Sequence, residues 1–286
     1  MTKESYHFSA LGSPCEVKVQ GAQGELLALL GRLAEEEVAR IERKYSRYRA
    51  DSLLSRVNAD AGRPVPIDSE THGLLHYADQ CWRLSDGLFD VTSGVLRRVW
   101  KFDGSDKVPA PDAVAAVMPL IGWDKVELSA DLVRLREGME IDLGGLGKEY
   151  AVDRVALMLA AHTDLPVLVN FGGDLRVSGP RRDGEPWLIA IEAVRDGDEK
   201  PAMLELRGGA LTTSGDARRF LLRDGVRYSH ILDPRTGWPV TNPPHSVTIA
   251  AATCLEAGIM STLAMLHGER AEAFLERERT VSWLVR

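Results

Sequence analysis

Residues 141–150 read IDLGGLGKEY, which is typical of a strand, a glycine turn and the start of a helix. Such a turn offers backbone N–H groups, free carbonyls and one lysine, Lys148, to an anion. It matches neither the GxGxxG dinucleotide fingerprint nor a P-loop. The alternative is a purely structural, tight turn between strand and helix, with Lys148 in solvent. The sequence of the turn alone does not decide between anion binding and this structural role.

Hydrophobic periodicity on either side of this turn predicts helices intermixed with strands. Helices are predicted over residues 24–45, 52–58 (with Asp51 as N-cap), 69–85, 148–161 and 256–267. Strands are predicted over residues 15–19, 166–171, 187–191, 203–206, 226–232 and 246–251, and alternating apolar residues predict more of them between 125 and 143. Strict βαβ alternation and Pro/Ser-rich linkers are both missing, which favours an α+β fold, one compact domain of mixed or antiparallel sheets with flanking helices.

Composition excludes several classes of protein. The chain has 286 residues, 44% of them hydrophobic and 27% charged, which is an ordinary globular balance. Its net charge is −7, so no positive field favours non-specific binding to nucleic acid or anionic membranes. Three scattered cysteines, Cys15, Cys81 and Cys254, exclude a disulfide framework and CxxC-based metal sites, and they favour a reducing compartment.

The apolar segments are all short. None approaches the roughly 20 residues that a membrane span needs, so no membrane span is predicted. The N-terminal stretch has neither the apolar core of a signal peptide nor a lipid-attachment signal. We expect a cytoplasmic location for the chain as written; a periplasmic one would require that a leader had been removed.

Hydroxyl groups and a histidine are concentrated near the C-terminal third. Residues 212–216 read TTSGD, and residues 228–237 read YSHILDPRTG. The hydroxyls are suited either to a turn that binds its own backbone or to phosphate and ribose oxygens. His230 is suited to structural hydrogen bonding or to acid–base work, and the local pattern does not separate these roles.

An ordered series of such segments resembles the ApbE family of FAD:protein FMN transferases, also called flavin transferases. The similar blocks are YRADSLLSRVN at 48–58, GLFDVT at 87–92, DLGGLGKEYAVD at 142–153, NFGGD at 170–174, TSGD at 213–216 and HILDPRTG at 230–237. Single blocks are weak signals, whereas their ordered set is strong. The resemblance runs from about residue 11 to 268 and implies a single ApbE-like domain over residues 1–286.

The resemblance implies an activity. Family members move the FMN half of FAD onto a threonine or serine hydroxyl of a target flavoprotein, release AMP, and need Mg²⁺ at the pyrophosphate. A divalent cation suits such a reaction because the attacked phosphorus is already surrounded by negative charge. The implied partner is an acceptor flavoprotein, such as a subunit of a redox complex or a reductase.

Roles carried over by position cover three groups of residues. The flavin and dinucleotide would be bound by Leu11 (where the family has methionine), Tyr48, Phe89, Asp90, Val91, Lys148, Asp233 and Thr236. His230 would act at the reaction centre, as general base or phosphate contact. The carbonyl of Gly145 and the side chain of Thr262 would be ligands of Mg²⁺.

Two positions depart from the family pattern. Glu149 stands where the family usually has glycine, and its carboxylate is expected either to repel the pyrophosphate or to face solvent. Gly258 stands where the family has a metal-binding aspartate, one helical turn before Thr262. Asp174, Asp216 and Glu256 are the carboxylates considered as substitutes, although Glu256 faces away on an ideal helix. The departure leaves a second hypothesis open, a weakened FAD-binding or carrier homologue with a degraded metal site.

Overall fold

Strands make up the central part of the molecule. The computed structural model describes residues 4–191, 201–215, 220–278 and 282–286. Its strands are β1 (Ser5–Ala10), β2 (Ser13–Val19), β3 (Pro64–Pro66), β4 (Glu127–Leu128), β5 (Leu132–Arg134), β6 (Val167–Phe171), β7 (Asp174–Val177), β8 (Trp187–Ile191), β9 (Ala202–Leu206), β10 (Gly209–Gly215), β11 (Phe220–Arg223), β12 (Val226–Ser229), β13 (Ser246–Ala251) and β14 (Ser282–Val285).

One large sheet organises these strands. Within the described residues, seven of them pair in the order β1-β2-β6-β7-β10-β13-β14, and every neighbouring pair is antiparallel. Smaller sheets are formed by β3-β5-β4, β8-β9 and β11-β12. Because the strands of a hairpin turn back at its tip, the β1–β2 and β6–β7 turns lie at the same end of the large sheet.

Helices cover this sheet. They are α1 (Gly24–Tyr45), α2 (Leu53–Ala59), α3 (Ser69–Leu84), α4 (Pro111–Val117), α5 (Gly147–Ala160), α6 (Cys254–Leu266) and α7 (Ala271–Leu275), with 3-10 turns at Val91–Arg98, Met118–Leu120, Trp123–Lys125 and Gly268–Arg270. No helix in the described ranges combines the length and apolarity needed to cross a bilayer. The predicted α+β architecture is confirmed.

The main core lies between the large sheet and helices α1 and α5. Leu30, Val38 and Ile41 on α1, which belong to the three- and four-residue spacing that predicted this helix, are buried. From the sheet side, Val17 and Val169 join the same buried cluster. The prediction of a helix over residues 24–45 is therefore confirmed.

The prediction that Asp51 caps the second helix was wrong. Ser52 is the N-cap, and its hydroxyl accepts a hydrogen bond from the Ser55 N–H at 2.9 Å. Asp51 instead pairs with Arg49 at 2.9 Å. Both residue types are good caps, so sequence alone could not separate neighbours.

The strands predicted between residues 125 and 143 form only in part, as the antiparallel pair β4 and β5. Residues 139–143 form no strand. The side-chain amide of Asn58 donates to the Ile141 carbonyl at 2.9 Å, and its oxygen accepts from the Ile141 N–H at 2.8 Å. The Asp142 N–H donates to the Val91 carbonyl at 2.8 Å. These partners satisfy the extended backbone without a neighbouring strand.

Candidate active site

Three loops meet at the end of the large sheet that carries the hairpin turns. The Gly172 N–H, in the β6–β7 turn, donates to the Pro14 carbonyl at 2.9 Å. Gly172 has φ +62°, and a Cβ there would lie 2.7 Å from the Ser13 Cβ and 4.0 Å from the Lys148 Nζ. Only glycine fits this close approach, which brings both turns to the first turn of α5.

Leu11 lies at the tip of the β1–β2 hairpin. Leu11 and Gly12 have φ of +53° and +70°, and Ala10 pairs with Ser13 across them. Two consecutive left-handed residues are characteristic of the type I′ turn that closes tight hairpins. A leucine in this conformation is uncommon, and its half-buried side chain packs against the main core.

Lys148 forms an ion pair with a buried aspartate. Its Nζ lies 2.7 Å from Oδ2 of Asp174, whose residue is only 3% exposed. The other oxygen, Oδ1, accepts a hydrogen bond from the Thr213 N–H at 3.4 Å. Burial raises the pKa of Asp174, while the aspartate's charge holds the pKa of Lys148 above its ordinary value in spite of burial. Lys148 is therefore a fixed cation rather than a solvated one.

Glu149, the next residue, faces inward. Of the two alternatives for Glu149, the one in which it faces solvent is wrong, because the residue is only 9% exposed. Its Oε2 has no hydrogen-bond partner. Burial, together with the charge of Asp174, raises its pKa to about 7. Burying a carboxylate without a partner is costly, so this group calls for a proton or a cation.

Gly258 on α6 lies directly against Glu149. A Cβ built on Gly258 would be 2.6 Å from the Glu149 Cγ, closer than real Cβ atoms come to a neighbour. The carboxylate of Asp153 on α5 accepts hydrogen bonds from the N–H groups of Cys254 (2.9 Å) and Leu255 (3.0 Å), which holds the start of α6 against α5. Thr262 is half-buried one helical turn beyond Gly258.

The serine and threonine hydroxyls of residues 212–214 lie in β10, so the turn that was one of two alternatives for them does not form. Ser214 Oγ lies 2.8 Å from Ser261 Oγ, and the latter donates to the Gly258 carbonyl at 3.0 Å. Thr213 Oγ1 lies 2.9 Å from Thr248 Oγ1. The serine contacts fasten α6 to the end of the sheet, whereas the threonine contact joins β10 to β13. Asp216, which follows them, lies outside the described residues.

The predicted flavin residues separate into buried and exposed members. Phe89 is buried, and a Cβ on Gly145 would lie 3.4 Å from its Cε2. Asp90 accepts from the Thr92 N–H (2.7 Å), the Thr92 hydroxyl (2.6 Å) and the Trp123 N–H (3.1 Å), so its carboxylate organises the 3-10 turn that follows. Val91 is buried beside it.

Tyr48 is 79% exposed. Arg47 donates to its hydroxyl at 2.7 Å, lies over its ring at 4.9 Å, and also pairs with Asp142. This arrangement ties the exposed ring to the loop that precedes α5, where it is free to pack against a ligand.

The loop after β12 carries the remaining predicted residues. Asp233 accepts from the Arg235 side chain at 2.7 Å, and its carbonyl accepts from the Thr236 N–H at 3.2 Å, so both residues shape the turn. The half-buried ring of His230 meets Phe102 edge-on at 6.3 Å.

The structure thus brings Lys148, Glu149, Gly258 and Asp174 together. In the sequence, Asp174 was considered only as a substitute for the missing metal-binding aspartate. In the described part of the chain, no three His, Cys, Asp or Glu side chains are grouped to hold a metal. A cation held there would have no more than two such side chains of the described residues as ligands. Both departures from the family pattern were visible in the sequence, but nothing in it showed that they touch.

Comparison with known proteins shows the family of this chain. The model of the ApbE family matches residues 11–285. The chain belongs to the ApbE family. An ApbE protein from Thermotoga maritima has a crystal structure that superposes with a TM-score of 0.88 at 30% identity, covering 98% of this chain and 93% of that one. The apo form of the flavinyl transferase ApbE from Pseudomonas stutzeri gives a TM-score of 0.87 at 32% identity, covering 99% and 91%.

Curated relatives of this ApbE chain carry an enzyme name. FAD:protein FMN transferase from Vibrio cholerae is 34% identical over 246 residues, which is 84% of this chain and 72% of that protein. The protein of the same name from Haemophilus influenzae is 30% identical over 258 residues, covering 86% and 75%. The predicted family membership is therefore confirmed.

Proposed function

We propose that this protein is an FAD:protein FMN transferase, which moves the FMN moiety of FAD onto a threonine or serine hydroxyl of a target flavoprotein and releases AMP. The observation that carries the proposal is the similarity, over most of the chain, to transferases of that name. The site supports it, because a lysine and a helix start converge with two turns at one sheet end.

Binding of the dinucleotide is assigned to the loops at that sheet end. Lys148 supplies a positive charge at the N-terminal end of α5, where helical N–H groups favour phosphate oxygens. The N-cap residue Leu146 makes no side-chain cap there, and the Gly147 N–H is already bonded to the Leu143 carbonyl at 2.6 Å. Phe89 and Leu11 supply apolar surface, and the exposed Tyr48 ring supplies a face for stacking. Asp233 and Thr236 hold the shape of the neighbouring loop.

Transfer requires that the acceptor hydroxyl lose its proton as the new P–O bond forms, while the bond to the AMP phosphate breaks. His230 is the candidate to receive that proton or to contact the phosphate. A bound Mg²⁺ would offset the charge that develops on the leaving phosphate. The residues assigned to hold it are Gly145, through its carbonyl, and Thr262, through its hydroxyl. Both are hard oxygen donors of the kind that Mg²⁺ prefers.

The test is flavin transfer to an acceptor peptide that contains threonine. Wild-type protein, FAD and Mg²⁺ are incubated with the peptide, and the mass gain of one FMN phosphoryl unit is read by mass spectrometry. We expect transfer by wild type and a loss of roughly a hundredfold or more in His230→Ala, the scale of a lost acid–base group. The matched control is His72→Ala on α3, whose ring stacks on His76 at 5.9 Å.

The carrier hypothesis gives a different result in the same experiment. It assumes that Gly258, by replacing a metal-binding aspartate, has made the metal site inactive. It predicts that FAD binds while no acceptor is modified at any Mg²⁺ concentration. Loss of both FAD binding and transfer in the wild type would contradict the enzyme and the carrier together.

A further inference from the structure

A buried carboxylate without a cation of its own lies between α5 and α6. Lys148, Asp174 and Glu149 carry one net negative charge when all three are ionised, and the ammonium is already paired with Asp174 at 2.7 Å. The Oε2 of Glu149 has no hydrogen-bond partner, and the residue is 9% exposed. When all three groups are ionised, this cluster thus holds one more negative charge than its own residues neutralise.

We propose that Glu149 is the carboxylate ligand of a divalent cation in this chain, supplied from α5 into the space that Gly258 leaves open on α6. The inference deepens the proposed function, since the reaction there calls for such a cation. It explains the two departures from the family pattern together: the carboxylate missing at Gly258 on α6 is replaced by that of Glu149 on α5.

The geometry of Gly258 supports this exchange. The Glu149 Oε1 lies 3.3 Å, and its Cδ 3.2 Å, from the position that a Cβ on Gly258 would take. The carboxylate of Glu149 therefore occupies the start of the space that an aspartate at position 258 would use. The space between α5 and α6 is too small for a carboxylate side chain at both position 149 and position 258. Glycine at 258 therefore goes together with glutamate at 149.

Further oxygens lie on the flanking segments. Thr262 is four residues beyond Gly258, so the two share one face of α6, and helical side chains tilt back toward the N-terminus. The Gly145 carbonyl, four residues before Glu149, accepts no backbone hydrogen bond from the described residues. Carboxylate, hydroxyl and carbonyl oxygens together make a hard donor set suited to Mg²⁺ or Mn²⁺ rather than to a softer metal.

A proton shared between Glu149 and Asp174 is the competing arrangement. It also relieves the buried charge, but it requires no cation. The two arrangements differ in one measurable respect, since only the first makes the affinity for a divalent cation depend on Glu149.

Mn²⁺ binding tests the proposal without relying on activity. Free Mn²⁺ is measured by electron paramagnetic resonance during titration of the full chain, with and without FAD. We expect Glu149→Gln to bind Mn²⁺ roughly tenfold more weakly or worse, at least the loss typical of a supporting ligand contact. The matched control, Glu256→Gln on α6, should bind like wild type.

Variants at Gly258 make the test sharper. Gly258→Asp alone should weaken Mn²⁺ binding, because its side chain collides with Glu149. The double variant Glu149→Gly/Gly258→Asp, which moves the carboxylate back to α6, should recover most of the affinity. Unfolding of the metal-free proteins checks integrity. Glu149→Gln should be at least as stable as wild type, since it removes an unpartnered buried charge.

Several results would overturn the proposal. These are equal Mn²⁺ affinity in wild type and Glu149→Gln, tighter binding by Gly258→Asp alone, or no Mn²⁺ binding by wild type with FAD present. Failure of the proposed function looks different: wild type would bind Mn²⁺ through Glu149 and still transfer no FMN. If wild type transfers FMN and Glu149→Gln binds Mn²⁺ as tightly as wild type, only this inference is contradicted and the proposed function stands.

Discussion

At the scale of single residues, the chemistry of this site depends on the absence of a side chain. Gly258 lies in the middle of α6, where glycine ordinarily costs about 0.5–1 kcal/mol relative to alanine. Its value comes from the neighbouring helix, because Glu149 fills the space that a Cβ would take. Substitution by alanine should therefore lower the free energy of unfolding at a helical glycine with filled surroundings and raise it at a helical glycine with open space around it.

Alanine substitutions at two helical glycines test this difference. We expect Gly258→Ala to lower the free energy of unfolding by about 1–3 kcal/mol, the usual cost of overpacking a filled interior. Gly73→Ala on α3, where a Cβ would meet nothing within 4 Å, should raise it by about 0.5–1 kcal/mol. Urea denaturation of the metal-free proteins measures both. Stabilisation by both substitutions would show that Glu149 moves aside at little cost.

At the scale of elements, a carboxylate on α3 joins three helices. Glu70 accepts from Arg40 on α1 at 2.6 Å, from Lys44 on α1 at 2.5 Å, and from the Tyr150 hydroxyl on α5 at 2.7 Å. These donors, Arg40 first, hold the pKa of Glu70 well below its usual range although burial opposes them. The contacts fix α5, and with it Lys148 and Glu149, relative to the helices on its outer side.

Glu70→Gln should therefore destabilise the protein in a pH-dependent way. Because the pKa of Glu70 is lowered in the folded state, its contribution is complete above the unfolded value of about 4.3 and is lost as the pH falls toward the folded value. We expect a cost of about 1–2 kcal/mol at pH 7 that shrinks below about pH 4. Unfolding at both pH values measures the difference.

The control for this experiment is an exposed glutamate. Glu127 has a side chain 66% exposed and meets Arg134 at only 3.4 Å. Glu127→Gln should change stability by less than about 0.5 kcal/mol at either pH, as exposed pairs usually do. A Glu70→Gln cost that stays constant down to pH 3 would mean that the effect comes from packing and not from charge.

At the scale of the whole molecule, the site is assembled from segments far apart in the chain. The β1–β2 turn, the start of α5, the β6–β7 turn, the end of β10 and the middle of α6 meet at one sheet end. A ligand that touches several of these segments stabilises the folded state as a unit, because the site does not exist in the unfolded chain.

FAD should consequently raise the melting temperature. At a concentration about 100 times its Kd, the stabilisation is about 2.7 kcal/mol, or roughly 5–10 °C for a chain of this size. Riboflavin, which lacks the pyrophosphate, should give a smaller shift if Lys148 and the start of α5 bind phosphate. Thermal unfolding with each ligand provides the comparison, and no shift at about 100 µM FAD would contradict the proposed function.

Features that depend on neighbouring residues in the sequence could be predicted. The periodic burial of Leu30, Val38 and Ile41 was evident from their spacing, because the helical repeat is a local property of the chain. The turn before Lys148 was equally evident from its glycines. The motifs were sufficient to predict the family, since each is a short segment of sequence and only their order along the chain was needed.

Features that depend on contact between distant segments were decided only by the tertiary structure. Residues 139–143 alternate like a strand, yet Asn58 and Val91 satisfy their backbone from other parts of the chain. Glu149 and Gly258 are unrelated departures in the sequence, and only the packing of α5 against α6 makes them one feature. Sequence determines which groups are present, whereas burial and the distance between charges, which set their chemistry, exist only once the chain has folded.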